Sequence, residues 1–194
     1  MLKLSNDQYI AEGKTKVCYQ HPLDSSKVIK INKPGSSYWQ HKHWVTRFNL
    51  EIRVLKKVSC IDDVKHYFPS YYGANKTNIG LGHVFQKVDN AVDIFNSDYR
   101  ISSDVFSEII TVIRSLIKHS IPFHMDLAKN VFIDEKSKKI YFVDSLGSNT
   151  FIPVTMLPMP RCCRLYLMSN KIKKNINHLK IIKKNNVDLS LTRN

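Results

Sequence analysis

β-branched and aromatic residues gather in short runs through the first third of the chain. Gln8-Tyr9-Ile10-Ala11-Glu12-Gly13 leads into Lys16-Val17-Cys18-Tyr19, and a turn at His21-Pro22-Leu23-Asp24 precedes Lys27-Val28-Ile29-Lys30-Ile31. Two such runs around a Pro/Asp/Ser turn predict a hairpin. The period then changes. After the loop Asn32-Lys33-Pro34-Gly35-Ser36-Ser37, Phe48, Ile52 and Leu55 recur at helical spacing and predict a helix from about Trp44 to Ser59. Pro69 and Gly73 mark a return to strand character, and Gly80–Val88 reads as a strand that ends in a connector.

A second helix is expected after Ser103-Asp104, a plausible N-cap, with Val105, Phe106, Ile109, Ile110, Ile113, Leu116 and Ile117 as its stripe and Pro122 as its stop. Asn130–Asp134 and Lys139–Asp144 are two further β-prone segments, and the polar Glu135-Lys136-Ser137-Lys138 between them predicts a hairpin. Pro153, Pro158 and Pro160 make the next stretch irregular, and Leu165–Lys184 reads as one or two basic helices. Strands, a long helix and a hairpin, without internal repeats, describe an α+β protein.

Composition narrows the class. The 194 residues are 43% hydrophobic and 24% charged, which excludes a chain disordered as a whole. No apolar run reaches membrane-spanning length, and Met1–Asp7 lacks the apolar stretch of a secretory signal, so a cytoplasmic protein is expected. The formal charge of +14 is uneven: Arg161–Asn194 holds nine Lys/Arg and one acid, Asp188. That basic tail suits a nucleic acid or an anionic membrane surface, although an Asn/Lys/Ile-rich composition raises charge without any such partner. Cys18, Cys60, Cys162 and Cys163 form no C-x-x-C pair and read as reduced thiols.

Three groups of residues carry candidate chemistry. Lys30 stands between two isoleucines, so its strand is apolar on the Ile29/Ile31 face and partly covered on the other. Glu51 lies three residues after Phe48 and four before Leu55, leaning toward the buried face, where a carboxylate needs a cation. A lysine on a preceding strand is its natural partner. Asp126 and Asn130 precede one strand of the later hairpin, and Asp144 ends the other. Their oxygens suit Mg²⁺, which takes few protein ligands and completes its shell with phosphate and water. Each alone is equally a turn residue. In chain order these are kinase parts: a loop at Gly13, Val28-Ile29-Lys30-Ile31, a helical Glu51, an H-x-D-L…N element and a D-x-x-G element.

More specifically, the chain resembles the YrbL family of PhoP regulatory network proteins. The matching stretches are Gly13–Pro22, Lys27–Ile31, Phe68–Gly73, Asp126–Phe132 and Val143–Pro153, within a resemblance that covers residues 1–165. It implies a small two-lobed kinase-like fold, with an N-lobe and hinge over 1–90, a reduced, mainly helical C-lobe over 91–165 and a basic tail over 166–194. It also implies ATP and Mg²⁺ as cofactors and an unidentified phosphoryl acceptor or protein partner. Lys30 would bind the α/β-phosphates and pair with Glu51, and Asp126 would orient the attacking hydroxyl. Asn130 and Asp144 would hold Mg²⁺, Gly13 would cover the phosphates, and Gln86-Lys87-Val88 would face adenine. Departures from the kinase pattern are a single loop glycine, three rather than four residues between Asp126 and Asn130, and 50 residues after Asp144. They disfavour protein-kinase activity and admit a pseudokinase.

Overall fold

The computed structural model describes residues 1–35, 37–93, 102–123, 130–144 and 146. Asp126, Cys162, Cys163, the Pro153–Pro160 stretch and the basic tail lie outside the described residues. The chain divides into two compact units, one of residues 1–61 and 68–89, the other of residues 62–67 and those from Asn90 onward.

The first unit is an antiparallel five-stranded sheet, order β1-β2-β3-β5-β4, with one helix. Its strands are β1 (Tyr9–Glu12), β2 (Lys16–Gln20), β3 (Lys27–Asn32), β4 (Tyr71–Thr77) and β5 (Gly80–Gln86). The predicted β2–β3 hairpin forms with Cys18 opposite Lys30 and Tyr19 opposite Ile29. Ile29, Ile31 and Val84 make one buried face together with Leu4, and Leu2 and Tyr19 pack against them. The N-terminal segment is therefore part of the core. The side-chain amide of Asn78 ties it down, accepting from the Leu4 N–H at 2.8 Å and donating to the Leu4 carbonyl at 3.0 Å.

This face leaves no room above Gly82. A Cβ there would stand 2.5 Å from Ile29 Cγ2 and 3.0 Å from Thr77 Cγ2, and Ile29 is fully buried. Gly82→Ala should destabilise the protein by about 1–3 kcal/mol through overpacking. Urea unfolding measures this; an unchanged midpoint would mean that the face is loosely packed.

The helix α1 (Tyr38–Val58) covers the opposite face. It begins six residues before the expected Trp44. Ser37 caps it, its Oγ accepting from the Gln40 N–H at 3.2 Å. The apolar stripe missed this start because Tyr38, Trp39 and His41–His43 of the first turns face solvent. Further along, Phe48, Ile52, Leu55 and Val58 are buried. Phe48 meets His83 with ring centroids 4.8 Å apart and Phe85 at 6.1 Å.

In the second unit, β6 (Ala91–Asp93), β7 (Val131–Asp134) and β8 (Ile140–Phe142) form an antiparallel sheet in that order. The predicted hairpin is β7–β8, with Val131 opposite Phe142 and Ile133 opposite Ile140. Asp134 organises its turn: its carboxylate accepts from the backbone N–H groups of Lys136 and Ser137 and from the Ser137 hydroxyl. Those bonds hold its carboxyl below the usual range.

Helix α2 (Ser103–Lys118) is capped by Ser102, whose Oγ accepts from the Val105 N–H, so the cap lies one residue ahead of the expected Ser103-Asp104. Of the expected stripe, Ile109, Ile113 and Leu116 are 0–1% exposed, while Val105, Ile110 and Ile117 are partly buried; Val112, outside that stripe, is buried with them. Ser120, with φ 54°, ends it before Pro122. Tyr67, in a short turn at Lys65–Tyr67, bonds Glu108; burial and that bond push its phenol up to about 12. Among the described residues no helix is long and apolar enough to cross a membrane.

Candidate functional site

The strand register collects polar side chains on the α1 side of the first sheet. Lys16 and Cys18 of β2, Lys30 of β3 and His83 of β5 share that face, with Cys18 and His83 directly across from Lys30. The Glu51 carboxylate of α1 meets a strand lysine, as its position requires. One such lysine is Lys16: its Nζ lies 2.8 Å from Glu51 Oε2, and both side chains are only 16% exposed. The same ammonium sits 4.6 Å from the Phe48 ring centroid. A cation held between a carboxylate and an aromatic face satisfies two demands of partial burial, charge pairing and desolvated packing. Lys30 Nζ lies 5.3 Å from the centroid of the Phe85 ring. Lys16 was legible only through pairing, since it occupies an alternate position on the hairpin partner of Lys30.

His83 is the buried titratable group of this cluster. Its Nδ1 lies 3.0 Å from the Tyr71 hydroxyl. Burial, and secondarily the nearby Lys16 ammonium, lower its pKa from the ordinary 6.5. The folded state thus prefers the neutral ring, whereas the unfolded chain binds a proton below about pH 6.5. The stability from this site is complete above that pH and declines as pH falls toward the depressed folded value. His83→Gln should flatten this limb in thermal unfolding between pH 7 and 5. An unaltered pH profile would place the titration elsewhere.

Gly13 closes the β1–β2 loop, its N–H donating to the Lys16 carbonyl at 2.9 Å. A Cβ at this position would meet nothing nearer than that carbonyl, at 4.0 Å. Packing within the protein therefore does not require glycine here. At the connector, the Gln86 N–H donates to Ser70 and the Lys87 N–H to Ser26, each at 2.8 Å. Among the described residues the Val88 N–H donates to no carbonyl.

The second unit supplies Asn130 and Asp144. The Val143 N–H donates to the Asn130 carbonyl at 2.9 Å, extending the β7–β8 ladder by one step. Asn130 and Asp144 thereby sit at the same end of the hairpin. Asp144 is exposed and adopts φ 55°, the left-handed region. Among the described residues the other non-glycine positions with positive φ are Asn90, Ser120 and Lys138. Ser120 and Lys138 serve a helix end and a hairpin turn. Asp144 instead follows a strand, in a region that aspartate enters more readily than most residues. Among the described residues no three His, Cys, Asp or Glu side chains cluster as a ready-made metal site.

Comparison with known proteins gives both a family and a fold. The family model described as PhoP regulatory network protein YrbL matches residues 2–180. No curated protein matches the chain significantly. Among solved structures, the crystal structure of the PF14_0431 kinase domain superimposes with a TM-score of 0.52 at 16% identity. The match covers 72% of this chain and 50% of that one, so the chain spans about half the length of the kinase domain it resembles. At this identity the likeness is one of fold.

Proposed function

We propose that this chain, which belongs to the family described as PhoP regulatory network protein YrbL, uses its kinase-type fold to bind ATP with Mg²⁺ and to transfer the terminal phosphoryl group to a hydroxyl acceptor. The observation that carries the reading is the β7–β8 hairpin end. It sets Asn130 and Asp144 at the same end of one hairpin, with Asp144 on a left-handed backbone. One Asp and one Asn are too few to enclose a metal. They fit Mg²⁺, which keeps most of its shell for water and phosphate oxygens.

In the first unit, Lys30 would neutralise the α/β-phosphates. The Lys16–Glu51 pair would anchor α1 against the sheet. Gly13 admits close approach of a phosphate, because nothing else occupies the space a Cβ would take. The Val88 N–H, which donates to no carbonyl among the described residues, and the Gln86 carbonyl suit an adenine edge. Asp126 would accept or orient the acceptor's proton. Phosphoryl transfer demands little covalent chemistry of the protein; positioning and charge stabilisation supply most of it.

A nucleotide that binds only the folded state raises its stability by mass action, by about 2.7 kcal/mol at a hundredfold excess over Kd. ATP with Mg²⁺ should therefore raise the unfolding temperature by several degrees, and EDTA should cancel the shift. An unmoved melting curve at millimolar Mg·ATP would end this proposal. The short Asp126–Asn130 spacing favours a second reading, binding without transfer. A Mg·ATP shift without production of ADP in the presence of candidate acceptors would select it.

A further inference from the structure

The outer face of α1 has no part in the chemistry above, yet its composition is unusual. Tyr38 and Trp39 are 71% and 73% exposed, and their rings meet edge to face at 5.6 Å. Lys42 Nζ lies 5.6 Å from the Trp39 ring centroid and 6.0 Å from that of Tyr38. Helical spacing continues this stripe through Thr46, Asn49, Arg53, Lys56 and Lys57, all exposed. From Trp39 to Lys57 it runs about 27 Å.

The one acid of α1, Glu51, points to the sheet and is bonded to Lys16. Lys42, Arg53, Lys56 and Lys57 form no ion pair among the described residues. For helix stability alone this pattern is unfavourable: exposed helices are normally laced with opposite charges three or four residues apart. Two large exposed aromatics add a second, independent anomaly. The opposite face of α1 packs on the sheet, so the stripe faces solvent, with Lys56 at its edge, its Nζ 5.5 Å from the Tyr71 ring centroid.

We propose that this face of α1 binds single-stranded nucleic acid. Cations spaced along a row match a phosphate backbone, and the Asn49 amide adds a donor suited to the same oxygens. The exposed Trp39 and Tyr38 rings at one end offer stacking surfaces to bases, which accept any sequence. An anionic membrane would use the cations equally well. It would, however, need apolar side chains to insert, and beyond the two rings the stripe carries none. This site is distinct from the basic tail, and it is independent of the nucleotide site.

The test is fluorescence anisotropy of the full chain with a labelled 20-nucleotide oligothymidylate and a labelled oligouridylate, across a salt series. Binding should weaken with salt along a log–log slope of about 3, the release expected for four cations on a single strand. Trp39→Ala should weaken binding about tenfold. Lys42, Arg53, Lys56 and Lys57 all changed to Gln should remove it and the salt slope. Changing Lys171, Lys173, Lys174, Lys180, Lys183 and Lys184 to Gln should leave a slope of that size. Loss confined to the tail variant, an unaffected α1 variant, or binding to phosphatidylserine vesicles with none to either oligonucleotide would each overturn the proposal.

Discussion

Asp144→Ala will abolish the stabilisation by Mg·ATP, and Asp144→Gly will separate that loss from backbone strain. The side chain is exposed, so its removal sacrifices no core packing. The backbone makes the contrast sharper. Asp144 sits at φ 55°, where aspartate is better tolerated than most residues, so alanine brings a small strain cost of about 1 kcal/mol. Asp144→Gly would relieve that strain and remove the carboxylate as well. Both variants should lose Mg²⁺-dependent nucleotide binding. Lys30→Ala should lose binding by the other route, through the phosphates. If Asp144→Gly still bound ATP in a Mg²⁺-dependent manner, the hairpin end would not be the metal site.

Phe48→Ala will produce the largest loss of stability, about 3–5 kcal/mol as for buried aromatics generally. Phe48 is 2% exposed and touches both layers of the first unit, with His83 and Phe85 beneath it and the Lys16 ammonium beside it. Its loss leaves a cavity between helix and sheet and strips the aromatic support from the Lys16–Glu51 pair. Nucleotide affinity should fall with stability, because α1 is then less firmly held over the Lys30 face. Urea unfolding of wild type and variant measures the first effect and nucleotide titration the second. A stability loss under 1 kcal/mol would mean that the helix is held elsewhere.

Much of this was legible along the chain. The strands around the His21–Asp24 turn, the α2 stripe and the β7–β8 hairpin follow from apolar period and turn chemistry, both of which are local. The kinase-like fold was read from the order of Gly13, Lys30, Glu51, Asp126, Asn130 and Asp144, and the comparison agrees on the fold. What was missed is non-local or unpatterned. The start of α1 depends on Ser37 capping Gln40, while its first turns carry no buried stripe. β6 is three residues long and exists through pairing with β7. The docking of Leu2 and Leu4 relies on Asn78, some seventy residues away, and no window of sequence displays that. That Lys16 also reaches Glu51 follows from the β2–β3 register. The left-handed backbone of Asp144 is a product of the assembled hairpin.

Isothermal titration of ATP into the full chain, with Mg²⁺ and then with EDTA, tests the central claim most directly. One ATP should bind per chain with Mg²⁺ present, and binding should weaken at least tenfold without it. ATP binding that ignores the metal, or no heat of binding at all, would contradict a kinase-type Mg·ATP site.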